Sequence, residues 1–142
     1  MIEKTRTVYY CEHCGKHLLT RHAMERHERR CTLNPDRVCG FCDGGHDLKA
    51  LAESFARRCK VIEDITSGGY VSWVPNVVDF TANDILDAVD GCPACALAVI
   101  RLARVPHGDS SEPLAPAWVQ YDYDAAKHAW WASHREPCPA YA

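Results

Sequence analysis

The 142-residue chain is predicted to have an α+β fold, on three observations. Cysteine pairs separated by two residues recur at Cys11-Cys14, Cys39-Cys42 and Cys92-Cys95. Two β-rich runs, residues 60–66 (KVIEDIT) and 70–74 (YVSWV), flank a Ser67-Gly68-Gly69 turn of the kind hairpins use. Around them lie stretches whose apolar residues recur every three or four positions, the period of a helix packed on a core.

The first element to justify is Cys11-x2-Cys14-x12-His27-x3-Cys31. Thiolate and imidazole are the ligands Zn²⁺ prefers, and a C-x2-C turn followed by a helix carrying H-x3-C brings all four to one tetrahedral point. A module this small still needs an apolar plug between hairpin and helix, and Tyr9, Leu18 and Met24 stand where it belongs. The stretch resembles the two-Cys, two-His zinc-finger family. That pattern has an aromatic two before the first Cys, a hydrophobe four after the second and another three before the first His. Here Leu18 replaces the usual Phe and Cys31 the second His; three Cys and one His remain an ordinary structural zinc set. The alternative, a redox CxxC with an unrelated His and Cys downstream, leaves the spacing match unexplained. The helix is expected up to Arg30 with Thr20 as N-cap and Glu25–Arg29 as an i,i+4 pair. The resemblance covers residues 1–34, read as one module.

Asn34-Pro35 disfavours continued helix and initiates a turn, so residues 32–37 read as a linker. At Cys39-Gly40-Phe41-Cys42, followed by Gly44 and Gly45, a second thiolate-bearing loop is expected, with glycines supplying positive backbone angles. Its two further ligands come from His46, Cys59, or the pair Cys92 and Cys95. The last pair is best placed, because Pro93 suits the first turn of a helix and the helix dipole stabilises thiolates there. A mixed site using His46 is the rival. A knuckle, a hairpin and a helix that supplies the last two ligands resemble the treble-clef zinc fold. The fold class is then a small zinc finger followed by a treble-clef-like zinc domain, residues 35–105, with inserted helices.

The first inserted helix, 47–59, carries Leu48, Leu51, Ala52, Phe55 and Cys59 in one stripe, which makes Cys59 a buried small hydrophobe. The second, 82–90, is capped by Thr81 or Asn83. Residues 96–105 are apolar almost all round, as a central helix is. A loop is expected over 106–116, a short strand over 118–121, and a last helix capped by Asp122 or Asp124 and running to His134, all within a third part, 106–142. Adjacent Trp130 and Trp131 cannot share a helix face, so one is expected in the core and the other towards a partner. Cys138 reads as a free thiol.

Charge is uneven. Residues 1–37 hold eight Lys or Arg against five Asp or Glu, a net of +3, and the remainder eight against fourteen, a net of −6. Attraction to nucleic acid is therefore expected only in the first module, through Arg21, His22, Arg26, Arg29 and Arg30. Nothing in the sequence has the spacing of a phosphate-cradling loop, a nucleophile elbow or a HExxH metal motif. His46-Asp47 beside the second loop suggests a zinc-supported nuclease, but no second catalytic His follows. No apolar run spans a bilayer and no signal peptide is evident, which points to a reducing cytoplasm. The expectation is a non-enzymatic protein with two Zn²⁺ ions, acting as a protein–protein adaptor or part of a larger assembly. Nucleic-acid binding through the finger helix is the alternative; neither a membrane nor a small-molecule substrate is expected. The finger joined through Asn-Pro-x-Arg to a second CxxC also resembles short zinc-finger proteins of tailed bacteriophages, which admits a virion location.

Overall fold

The computed structural model describes residues 1–65, 68–69, 71–77, 80–105 and 119–135, with the backbone alone for 61–65 and 71–77. It is a mixed α+β structure. Strands β1 (Tyr9–Tyr10) and β2 (His17–Leu18) pair antiparallel and are followed by α1 (Arg21–Arg30). Then come α2 (Leu48–Arg57), the hairpin β3 (Cys59–Ile65) and β4 (Val71–Val77), and the helices α3 (Ala82–Ala88), α4 (Pro93–Leu102) and α5 (Tyr123–His134). The expected loop over 106–116, Trp118 and Cys138 lie outside the described residues.

Among the described residues two separate cores form. The small one consists of Cys11, Met24 and Cys31, with Tyr9, Cys14, Leu18 and Leu33 packed against it. The large one is built around α4, whose Pro93, Ala94, Cys95, Ala96, Ala98 and Val99 are all buried. Helices α2, α3 and α5 each pack on α4. From α2 come Leu48, Ala52, Phe55 and Ala56, from α3 Ile85, and from α5 Trp130. A helix touched on several sides has no solvent face to make polar, which is why residues 96–102 show no stripe. It stops at Leu102 because Pro106 ahead disfavours helical backbone.

Caps set the helix starts. Thr20 accepts from Ala23 N–H at 3.3 Å, Asp47 from Ala50 N–H at 3.0 Å and Asp122 from Ala125 N–H at 2.9 Å. Asp84 reaches back from the first turn of α3 to accept from Thr81 N–H at 2.7 Å, so Thr81 rather than Asn83 is the cap.

Four expectations change. Glu25 pairs with Arg21 at 2.8 Å, one turn back, rather than with Arg29, which lines a cleft with Arg26 and Arg30. Helix α2 ends before Cys59, which begins β3; its thiol donates to the Phe55 carbonyl at 3.3 Å. Strand β4 runs past Val74 through Pro75, which pairs with Val61. A two-stranded sheet has only edge strands, and an edge tolerates a residue without an N–H. Residues 119–121 form no strand; instead Tyr121 turns inward and its hydroxyl donates to the Pro93 carbonyl at 2.7 Å.

The join between α3 and α4 is a Schellman turn. Gly91 N–H bonds to the Leu86 carbonyl at 2.7 Å and Asp90 N–H to the Asp87 carbonyl at 3.3 Å, leaving Asp90 at φ 54° and Gly91 at φ 78°. This turn hands the chain to Cys92, the N-cap of α4. A Cβ on Gly91 would meet no atom within 4 Å, so Gly91→Ala has only the backbone term, about 1–2 kcal/mol. Denaturant unfolding of the metal-loaded protein should show that loss with an unchanged m-value.

Candidate metal centres

The first centre is assembled locally. Cys11 N–H bonds to the Lys16 carbonyl at 2.8 Å and Gly15 N–H to the Cys11 carbonyl at 2.9 Å, curling the C-x2-C loop, with Gly15 at φ 72°. Helix α1 brings in His27, whose Nε2 lies 3.2 Å from Cys14 Sγ, and ends at Cys31, its C-cap. The second centre joins distant parts of the chain. Cys39 Sγ lies 3.5 Å from Cys92 Sγ and Cys42 Sγ 3.7 Å from Cys95 Sγ. Phe41 N–H points at Cys39 Sγ at 3.4 Å. Pro93 occupies the first turn of α4, as its ring geometry favours.

Within each group the four donor atoms lie within 4.8 Å of one another. A tetrahedral ion with bonds of about 2.3 Å to sulfur and about 2.0 Å to nitrogen has edges of about 3.5–3.8 Å. The donor atoms thus already stand close to the corners such an ion needs, and either group can hold a metal. Buried Cys11, Cys31, Cys92 and Cys95 make both centres part of the apolar cores.

Packed together, the thiols cannot all ionise. Burial pushes Cys14 up, but the hydrogen bonds at Lys16, His27, Cys11 and Cys31 outweigh it and bring it to about 6. Cys31 is pushed up to about 11 by burial and by its Cys14 and Cys11 neighbours. In the second centre the hydrogen bond with Cys95 brings Cys92 down to about 5, while the same bond and burial push Cys95 far up. Burial and its Cys92 and Cys39 neighbours also raise Cys42, to about 11. One low thiol beside one raised thiol in the first group and two in the second is the signature of crowded anions, a conflict that a central dication would remove.

His46 and Cys59 stand outside the second group. His46 Nε2 lies 3.9 Å from Asp90 Oδ2, and Asp47 is occupied as the cap of α2. Of the glycines, Gly44 and Gly45 adopt φ of 81° and 89°. Gly40 serves differently, with a Cβ there lying 3.9 Å from the Arg30 guanidinium.

Sequence reasoning missed the bridge between the centres. Asn34 Nδ2 donates to the Glu28 carbonyl at 2.8 Å, and Val38 N–H to the Arg29 carbonyl at 2.8 Å, folding the linker onto the end of α1. Arg37 then donates from Nε to the Arg30 carbonyl at 3.3 Å and points Nη1 at Cys95 Sγ, 3.9 Å away. A guanidinium beside a thiolate lowers the electron density on the sulfur and holds its orientation, as outer groups around metal sites do. The only hint in the sequence was an arginine two residues before Cys39. Leu33, which closes the small core, was missed because it lies in what reads as linker.

Helix α1 leaves Arg21, His22, Arg26, Arg29 and Arg30 exposed. Trp130 is buried, with its ring stacked 3.7 Å from that of His134, whereas Trp131 is 47% exposed and 5.6 Å from the Phe41 ring. No family model, curated protein or solved structure matches the chain. Among the described residues no helix is long and apolar enough to cross a membrane.

Two metal ions per chain are expected by native mass spectrometry, with Cys11→Ser and Cys92→Ser each losing one. Chelation should melt the first module before the second, because its core is three buried residues and metal supplies on the order of 10 kcal/mol to such modules. Amide exchange in α1 should accelerate at chelator concentrations that leave α4 protected. Arg37→Ala should raise the rate of metal release from the second centre roughly tenfold, read by transfer to a chromophoric chelator, with Arg37→Lys intermediate.

Proposed function

We propose that this protein is a non-enzymatic interaction module held together by two structural zinc ions. The observation that carries the reading is that each group offers four protein ligands. That is the full complement of a structural zinc site, where a catalytic site keeps a position open. Three Cys with one His, and four Cys, are donor sets that suit zinc over harder cations. The second module is read as treble-clef-like, with its knuckle at Cys39-Cys42, its hairpin at β3–β4 and its last two ligands in the first turn of α4. The first is read as a finger over residues 1–34, the second spans 35–105, and α5 closes over α4.

A protein is the partner this reading favours. Trp131 and Phe41 put two aromatic rings together beside the knuckle, with Trp131 half in solvent, and aromatic anchors are what protein interfaces use. The likeness to short phage zinc-finger proteins gives such a module a place in a larger assembly, in a virion or against host machinery. Nucleic-acid binding is the second reading, supported by Arg26, Arg29 and Arg30 lining one cleft on α1.

Trp131→Ala should abolish co-purification of the partner while leaving both metals and the unfolding midpoint in place. Trp130→Ala should instead destabilise the fold by about 3–5 kcal/mol. Retention of the same partner by the Trp131 variant, measured by native mass of the complex, would dismiss the aromatic surface.

A further inference from the structure

The acidic body is not uniformly acidic. The last turn of α4 carries Arg101, Arg104 follows just past its C-cap Ala103, and the fold sets this end against the linker of the basic module. Arg101 Nη1 donates to Thr32 Oγ1 at 2.6 Å, across 69 positions of sequence. Arg104 Nη1 donates to the Arg101 and Ala103 carbonyls, both at 2.7 Å, and shares a cleft with Pro35 and Lys49. The arginine cleft of α1 includes Arg30, whose carbonyl accepts from Arg37 Nε of the linker.

None of Arg26, Arg29, Arg30, Arg37, Arg101 and Arg104 has a carboxylate within ion-pair distance among the described residues. Arg21 does, through Glu25. Of the carboxylates on these elements, Glu25 of α1 is paired with Arg21, Glu28 of α1 accepts from the Glu12 N–H, Asp36 stands in the linker with its N–H tied to Asn34 Oδ1, and Glu53 lines the second cleft. Setting aside Arg37, whose guanidinium is directed at Cys95 Sγ, five arginines without a carboxylate partner on a chain of net charge −3 offer a surface that favours an anion. The dipole of α4 accounts for a cation at its end, but not for its seat on Thr32 of the other module.

We infer that the two modules jointly build one cationic surface, running from α1 over the linker to the end of α4, and that it takes the phosphate backbone of a nucleic-acid duplex. The inference rests on the nucleic-acid reading above and extends it to residues of the body. A duplex is favoured over a single strand because, among the described residues, neither cleft is lined by Phe, Tyr or Trp on which bases stack. Guanidinium groups also match phosphate in bidentate geometry. Arg21, already paired, lies outside the surface.

The test is the salt dependence of binding by the full, two-zinc chain to mixed-sequence DNA and RNA duplexes, with native mass confirming both metals in each variant. Each phosphate contact contributes about −0.9 to the slope of log K against log salt. Arg101→Gln with Arg104→Gln should make the slope shallower by about two, and Arg26, Arg29 and Arg30→Gln together by about three. Lys127→Gln, at a cation paired with Asp124 on α5, should change nothing. If the α4 variant keeps the full slope while the α1 variant loses it, the finger binds alone and the two-module surface is refuted. No binding to either duplex at low salt overturns the nucleic-acid reading as well, and tighter binding to polyglutamate than to either duplex assigns the surface to an acidic protein instead.

Discussion

The first turn of α4 is the constraint on which the larger part of the structure depends. Cys92 and Cys95 are at once donors of the second centre and buried members of the large core. Sulfur that is both ligand and packing atom ties metal geometry to apolar packing. The α3–α4 turn and the Tyr121 bond to the Pro93 carbonyl both hold the same turn in place. The four thiols of this group converge through that turn, and a metal held there would bring them out of water as a neutralised set.

Much of this was legible in the sequence, for a physical reason. Metal ligands obey short, rigid spacings, so Cys11, Cys14, His27 and Cys31 declare a site whatever surrounds them. Tyr9, Leu18 and Met24 then fall into the plug because the small module offers nowhere else to pack. Helix starts were legible wherever a Thr or Asp preceded the apolar period, as at Thr20 and Asp122. The second centre was harder. Its pairs lie far apart, and choosing Cys92 and Cys95 over His46 needed an argument from helix capping. What stayed hidden depends on encounters between distant segments. Arg37 beside Cys95, Arg101 on Thr32 and Trp131 against Phe41 follow from how helices meet, not from local spacing. Cys59 was placed at the end of a helix because its position fits the stripe, although a β-branched run begins immediately after it.

Charge gives a second lesson in the same terms. Divided by sequence, the chain is a basic segment followed by an acidic one. Divided by surface, the boundary moves, because the end of α4 lies beside the linker and brings its arginines with it. Net charge per segment therefore leaves out Arg101, which folding brings onto Thr32.

The two centres also differ in the span of chain they close. Cys14 and His27 are 13 positions apart, whereas Cys39 and Cys92 are 53 apart. Loop-closure entropy grows with span, and local contacts form earliest. During synthesis the first four donors are complete before Cys92 exists, while Cys39 and Cys42 wait as an unmatched pair. The nascent chain thus passes through a stage with more thiols than complete donor sets, and the proximity of His27 and Cys31 to their own knuckle would keep an early ion from being shared with the wrong pair.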